Sequence, residues 1–182
     1  MNPWSLPQSA IIGGEEYSIN TDFRDILEII GYLNDESKTI YLRWKIALSL
    51  FYDGKIPETL EEEAAQYLSD FIACGKKDEK SGPKLIDWEQ DALLIVTDIN
   101  KVAGKEVRAE KVLHWWTFMS YFNGIGEGQL STVVGIRSKK AKGKKLDKSE
   151  QEYYREHKSD VDFRRNSDAE KAEIQEYFSK WL

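Results

Sequence analysis

The side chains best suited to nucleophilic, acid–base or soft-metal chemistry are few, two histidines (His114 and His157) and one cysteine (Cys74) in 182 residues. A zinc centre takes four N, S or O ligands, and these histidines stand far apart with no second His or Cys close by in the sequence. His114 falls one helical turn after Glu110, which reads as a helix-surface pair or a polar edge beside Trp115 and Trp116. As a general base it would need an adjacent nucleophile, and none is in view. Cys74, near the end of an amphipathic stretch, reads as a small half-buried hydrophobe. Asp87, Glu89 and Asp91 put three carboxylates into five residues. At a helix start they are stabilised by the positive end of the helix dipole without a metal, and the Gly and bidentate Glu of a calcium loop are missing. Gly124-Ile125-Gly126-Glu127-Gly128 superficially resembles a phosphate loop. It follows a helix rather than a strand, lacks the Lys-Ser/Thr pair and carries an acid, so it reads as a turn. No enzyme activity, metal or cofactor is expected.

The densest charge is a basic run containing Arg137, Lys139, Lys140, Lys142, Lys144, Lys145 and Lys148 against the single anion Asp147. Because the chain is −6 and this run +6, the remainder is −12. The run contains Gly143 and no aromatic platform of the kind single-stranded nucleic-acid sites use. It reads as a solvated, mobile loop over 137–148, with an acidic or phosphate-bearing partner as the other possibility. An acidic chain is a poor general binder of nucleic acid or anionic membrane.

These residues have to be carried by helices. Ile11-Ile12 and Tyr17-Ser18-Ile19 flank Gly13-Gly14-Glu15-Glu16, a hairpin signature. Beyond it, Phe23, Ile26, Leu27 and Ile30 fall at i, i+3, i+4, i+7, with Thr21 as N-cap. The spacing returns in Trp44, Ala47, Leu48 and Phe51, and in Ala64, Tyr67, Leu68 and Phe71, where Thr59 and Glu62 suggest a capping box. A polar break over 75–83 reads as a long loop within one domain, with two subdomains as the alternative. Asp87 caps a fourth helix bearing Trp88, Ala92, Ile95 and Ile99. A fifth holds five of the chain's 22 aromatic residues between Leu113 and Phe122. On a wheel Val112, Trp115, Phe118, Met119 and Phe122 share one side, and Glu110, His114, Thr117 and Tyr121 lie opposite. Gly124 reads as its C-cap. A short sixth helix carries Leu130, Val133 and Val134, and a seventh, boxed by Ser149 and Glu152, bears Tyr153 and Tyr154. Over 167–182 a last amphipathic helix places Ile174, Tyr177, Phe178 and Trp181 in one stripe.

The expectation is a mainly α, single compact domain over 1–182, with seven or eight helices and a short N-terminal β-hairpin. A lone cysteine forms no intramolecular disulfide, and the longest apolar runs fall well short of the ~18 residues of a membrane span. A cytoplasmic setting fits. Side chains such as Trp115 and Phe118 each remove roughly 150–250 Å² from water. Their helix must therefore be a core centre or a docking face.

Thr21-Asp22-Phe23-Arg24, Asp87-Trp88-Glu89-Gln90-Asp91-Ala92, Leu113-His114-Trp115-Trp116-Thr117-Phe118 and Arg137 together resemble the bacteriophage gene-product-fifteen family. That family is found in the tail-gene modules of phages and prophages of Gram-positive bacteria. The resemblance runs from about residue 10 to about 165. It implies a non-enzymatic tail assembly chaperone in the host cytoplasm, with the tape-measure protein and the tail-tube protein as partners and self-association as a further possibility. Tyr177, Phe178 and Trp181, with Trp115 and Phe118, are the candidate partner contacts. The alternatives are a structural part of the finished tail, at the tube end or baseplate, and a nucleic-acid-binding accessory protein acting through Arg137 to Lys148.

Overall fold

The computed structural model describes residues 2, 4–76 and 82–164. The predicted helix over 167–182, with Tyr177, Phe178 and Trp181, lies outside the described residues. Among those described, a two-stranded antiparallel hairpin precedes eight α-helices, the mainly α class that periodicity and the glycine pair predict. The chain divides into two compact units, Met1–Gly82 with Ile95–Gly126, and Pro83–Leu94 with Glu127–Leu182.

In the first unit β1 (Ser9–Ile12) pairs with β2 (Glu15–Ser18), Ile12 opposite Glu15, so that Gly13 and Gly14 form the two-residue turn. Their φ angles of +59° and +86° lie in the left-handed region that such turns demand and glycine enters without steric penalty. Ala10 and Ile12 are buried and Ile11 is exposed, the alternation of a one-sided strand.

Helix α1 (Phe23–Asn34) buries Phe23, Ile26 and Ile29, with Leu27 and Ile30 half-buried. Its cap is Asp22 rather than Thr21, and the Asp22 Oδ1 accepts the Arg24 N–H at 3.0 Å. Thr21 is buried one step earlier, where its carbonyl accepts the Trp115 N–H at 2.7 Å. Helix α2 (Ile40–Phe51) buries Ala47, Leu48 and Phe51, and α3 (Glu61–Ile72) buries Ala64, Leu68 and Phe71. The Thr59–Glu62 capping box does not form. Thr59 sits inside a 3-10 turn, Glu58–Leu60, whose Glu58 carbonyl accepts the Glu61 N–H, so backbone takes the place of a side-chain cap.

Helix α4 (Ala92–Ala103) starts later than Asp87 suggests. The Asp87 Oδ1 accepts the Glu89 and Gln90 N–H groups at 3.1 and 2.9 Å and so caps the turn ahead of the helix. Helix α5 (Trp115–Asn123) begins only at Trp115, because the preceding residues are drawn into extended pairing. The Phe23 N–H donates to the Leu113 carbonyl at 2.9 Å, and the Leu113 N–H donates to the Asp22 Oδ2 at 2.8 Å. Glu110 and His114 therefore share no helix face, and Val112 is exposed. Gly124 ends α5 with φ −83°, an ordinary helical value, so no left-handed glycine cap is used.

The second unit is built from α6 (Gln129–Ala141), α7 (Lys148–Glu156) and α8 (Lys158–Val161) around Val133, Ile136 and Val161, with Leu94, Leu146, Tyr153 and Tyr154 packed against them. Helix α6 runs a turn and a half beyond the short element expected, because Ile136 and Arg137 continue its buried side. That removes 137–141 from the predicted basic loop. Helix α7 is boxed by Asp147 and Glu150, two residues ahead of the Ser149–Glu152 expectation, each side chain accepting the other's backbone N–H at 2.9 Å.

Candidate functional site

His114 is the N-cap of α5 and is buried. Its Nδ1 accepts the Trp116 N–H at 3.0 Å, so the ring proton sits on Nε2 and is donated to the Pro7 carbonyl at 2.9 Å. Both nitrogens are occupied, and the ring meets Trp116 and Phe71 edge-on. Burial lowers its pKa, against a smaller raising effect of the Pro7 bond. Protonation would turn Nδ1 from acceptor into donor facing another donor. Because the folded pKa lies below the unfolded value of ~6.5, the folded state binds fewer protons in this window, and stability falls as pH drops below ~6.5 through the folded pKa. Urea unfolding from neutral to acid pH should show wild type losing stability relative to His114→Asn, which keeps a cap without the titration. Parallel pH profiles for the two would refute this.

Trp115 and Phe118, named as candidate partner contacts, are each 1% exposed. Phe118 stacks on Phe23 at 4.5 Å and on Trp115 at 5.6 Å between centroids. The Trp115 and Trp116 indole N–H groups donate to the Ile72 and Phe71 carbonyls at 3.0 and 2.9 Å, adding side-chain donors to carbonyls at the end of α3, where the Phe71 carbonyl also accepts the Cys74 N–H at 3.0 Å. This aromatic pair holds α5 to α3.

The head of the basic run is equally committed. Arg137 is 5% exposed and Asp91 1%. The Arg137 Nη1 and Nη2 reach the two Asp91 carboxylate oxygens at 2.6 and 2.9 Å. Its remaining donors go to the carbonyls of Val161, Leu85 and Asp160 at 2.7, 2.9 and 2.6 Å. All five guanidinium N–H groups are thus used, and Phe163 lies 4.1 Å from the guanidinium carbon. Lys139 pairs with Glu150, and Lys140 with Asp162 over the Tyr154 ring. Lys142, Lys144 and Lys145 are exposed. Of the acidic trio at 87–91 it is Asp91 that holds an arginine, a role no local spacing announces, while Asp87 caps the turn ahead of α4 and Glu89 is exposed.

Cys74 is partly buried, and burial pushes its thiol pKa up, away from a reactive thiolate. Among the described residues no group of three His, Cys, Asp or Glu side chains is placed to hold a metal ion. A cleft of about 420 Å³ in the first unit is lined by Lys45, Leu48, Ser49, Tyr52, Lys55, Ile56 and Glu61. Its Lys45 is paired with Glu61, and the Ser49 hydroxyl donates to the Ile46 carbonyl at 2.8 Å. No described helix is long and apolar enough to cross a membrane.

What the periodicity leaves out is the first turn of α2. Ile40, Tyr41 and Leu42 are 70%, 68% and 45% exposed, three large apolar side chains in a row. They lie just ahead of the Trp44, Ala47, Leu48, Phe51 stripe, and α2 is apolar on nearly all sides there. A helix of that kind is usually covered, which is the signal that could have found them.

The segments quoted for the family resemblance meet in space two by two. Thr21 to Arg24 pairs with Leu113 to Trp116 through the bonds at Thr21, Asp22 and Phe23. Asp87 to Ala92 meets Arg137 through Asp91, whose Oδ2 also accepts the Asp87 N–H at 2.9 Å. Neither curated proteins nor solved structures give a match. The family described as Bacteriophage Gp15 protein matches residues 5–163, most of the chain and all of the segments just described. The chain belongs to the bacteriophage Gp15 protein family.

Proposed function

We propose that this phage protein is a non-enzymatic tail assembly chaperone that binds the tape-measure protein in the host cytoplasm and helps bring tail-tube subunits to it. The observation that carries the reading, beside the family, is the exposed run Ile40-Tyr41-Leu42 on α2. An apolar helix face open to water accepts the apolar stripe of an amphipathic helix, and contiguous exposed apolar surface marks interaction sites. Trp115 and Phe118, being core, act by holding α5 in place. Co-expression should keep the tape-measure protein soluble and co-purify it. Replacing Ile40, Tyr41 and Leu42 together by serine should abolish co-purification while the protein stays folded, with a stability loss of no more than about 1.5 kcal/mol, since exposed substitutions change stability by up to about 0.5 kcal/mol each. Failure of the wild type to solubilise the tape measure, or its stoichiometric presence in purified virions, would overturn the reading, the latter in favour of a structural tail component.

A further inference from the structure

We propose that the turn carrying Lys142, Lys144 and Lys145 is a docking point for a carboxylate-rich protein segment. This goes beyond the chaperone reading and does not depend on which client that chaperone takes. The turn is built. Gly143, at φ +63°, closes the end of α6, the Lys144 N–H donates to the Lys139 carbonyl at 2.9 Å and the Gly143 N–H to the Lys140 carbonyl at 3.1 Å. On its far side Leu146 packs against the second unit's core, and the Asp147–Glu150 box begins α7. Three like charges in four residues are thereby held together on a fixed scaffold. Among the described residues no carboxylate forms an ion pair with any of the three, whereas Lys139 and Lys140 are both neutralised.

Three observations favour an acidic protein over nucleic acid. Arg137, the one side chain of the run with a planar fork suited to phosphate, is spent on Asp91 and three carbonyls. The nearby described rings are spent too, Tyr153 stacked on His157 at 4.3 Å and Tyr154 donating its hydroxyl to Asp162 at 2.8 Å under Lys140, so neither offers a free platform for a base. The rest of the chain, at −12, repels a long polyanion, while a short acidic segment feels mainly the local lysines within a Debye length of ~8 Å.

The test is fluorescence anisotropy of the full chain with a labelled polyglutamate peptide and, separately, a single-stranded oligonucleotide of equal charge. The peptide should bind more tightly than the oligonucleotide. Lys142→Ala, Lys144→Ala and Lys145→Ala together should weaken peptide binding about tenfold with an unchanged unfolding midpoint, and Lys55→Ala with Lys111→Ala should leave it unaltered. Tighter binding of the oligonucleotide, undetectable peptide binding, or equal binding by the triple variant would overturn the proposal.

Discussion

Replacing Arg137 by methionine is expected to destabilise the protein by about 3–5 kcal/mol, the usual cost of stripping one partner from a buried ion pair. The loss has two parts. Asp91 would keep a carboxylate that is 1% exposed, with the Asp87 N–H as its remaining donor among the described residues. The carbonyls of Leu85, Asp160 and Val161 would each lose a donor. Asp91→Ala alone should cost a similar amount by leaving the guanidinium unpaired. The double variant should cost about 2 kcal/mol less than the sum of the singles, because the uncompensated charge disappears from both. It should not reach wild type, since three carbonyls stay unmet. Urea unfolding of the four proteins measures the cycle. Additive losses would mean that the two charges do not depend on one another.

Trp115→Ala should be about as severe, at about 3–5 kcal/mol for truncating a large buried aromatic. Trp115→Phe keeps a ring against Phe118 but removes the donor to the Ile72 carbonyl, for which a loss of about 1 kcal/mol is expected. A partner-contact role would give the opposite pattern, with stability held and binding lost. If Trp115→Ala leaves the unfolding midpoint unchanged, the assignment of this residue to the core fails.

Local patterns carried over well from sequence to structure. The Gly13-Gly14 turn and the stripes of α1, α2 and α3 depend on residues within a few positions of each other. Helix starts were less legible, because capping residues cluster. Thr21 and Asp22 are both good caps, and only the pairing of Phe23 with Leu113 decides that the helix begins after Asp22. Asp147 and Ser149 posed the same choice. The boundary of α5 was displaced by a partner in another part of the chain, which turned His114 from a face residue into a cap. Least visible was the Asp91–Arg137 pair, 46 positions apart, since charge spacing cannot tell which cation of a basic run will be buried. For the same reason 137–148 read as one solvated loop, although its first half is helix and its first charge is core.

The indole bonds from α5 to the end of α3 also impose an order on synthesis. Trp115 and Trp116 follow their acceptors Ile72 and Phe71 by 43 and 45 residues. At a translation rate of ~5–20 residues per second, a nascent α3 waits roughly 2–9 s for the rings that complete its C-terminal end. The first unit, whose residues resume at Ile95 and run to Gly126, cannot close before that stretch has left the ribosome. Chains stalled ahead of Trp115 would display the side chains of Phe71 and Phe23 to the cytosol, which makes them natural substrates for the host's own holdases and proteases.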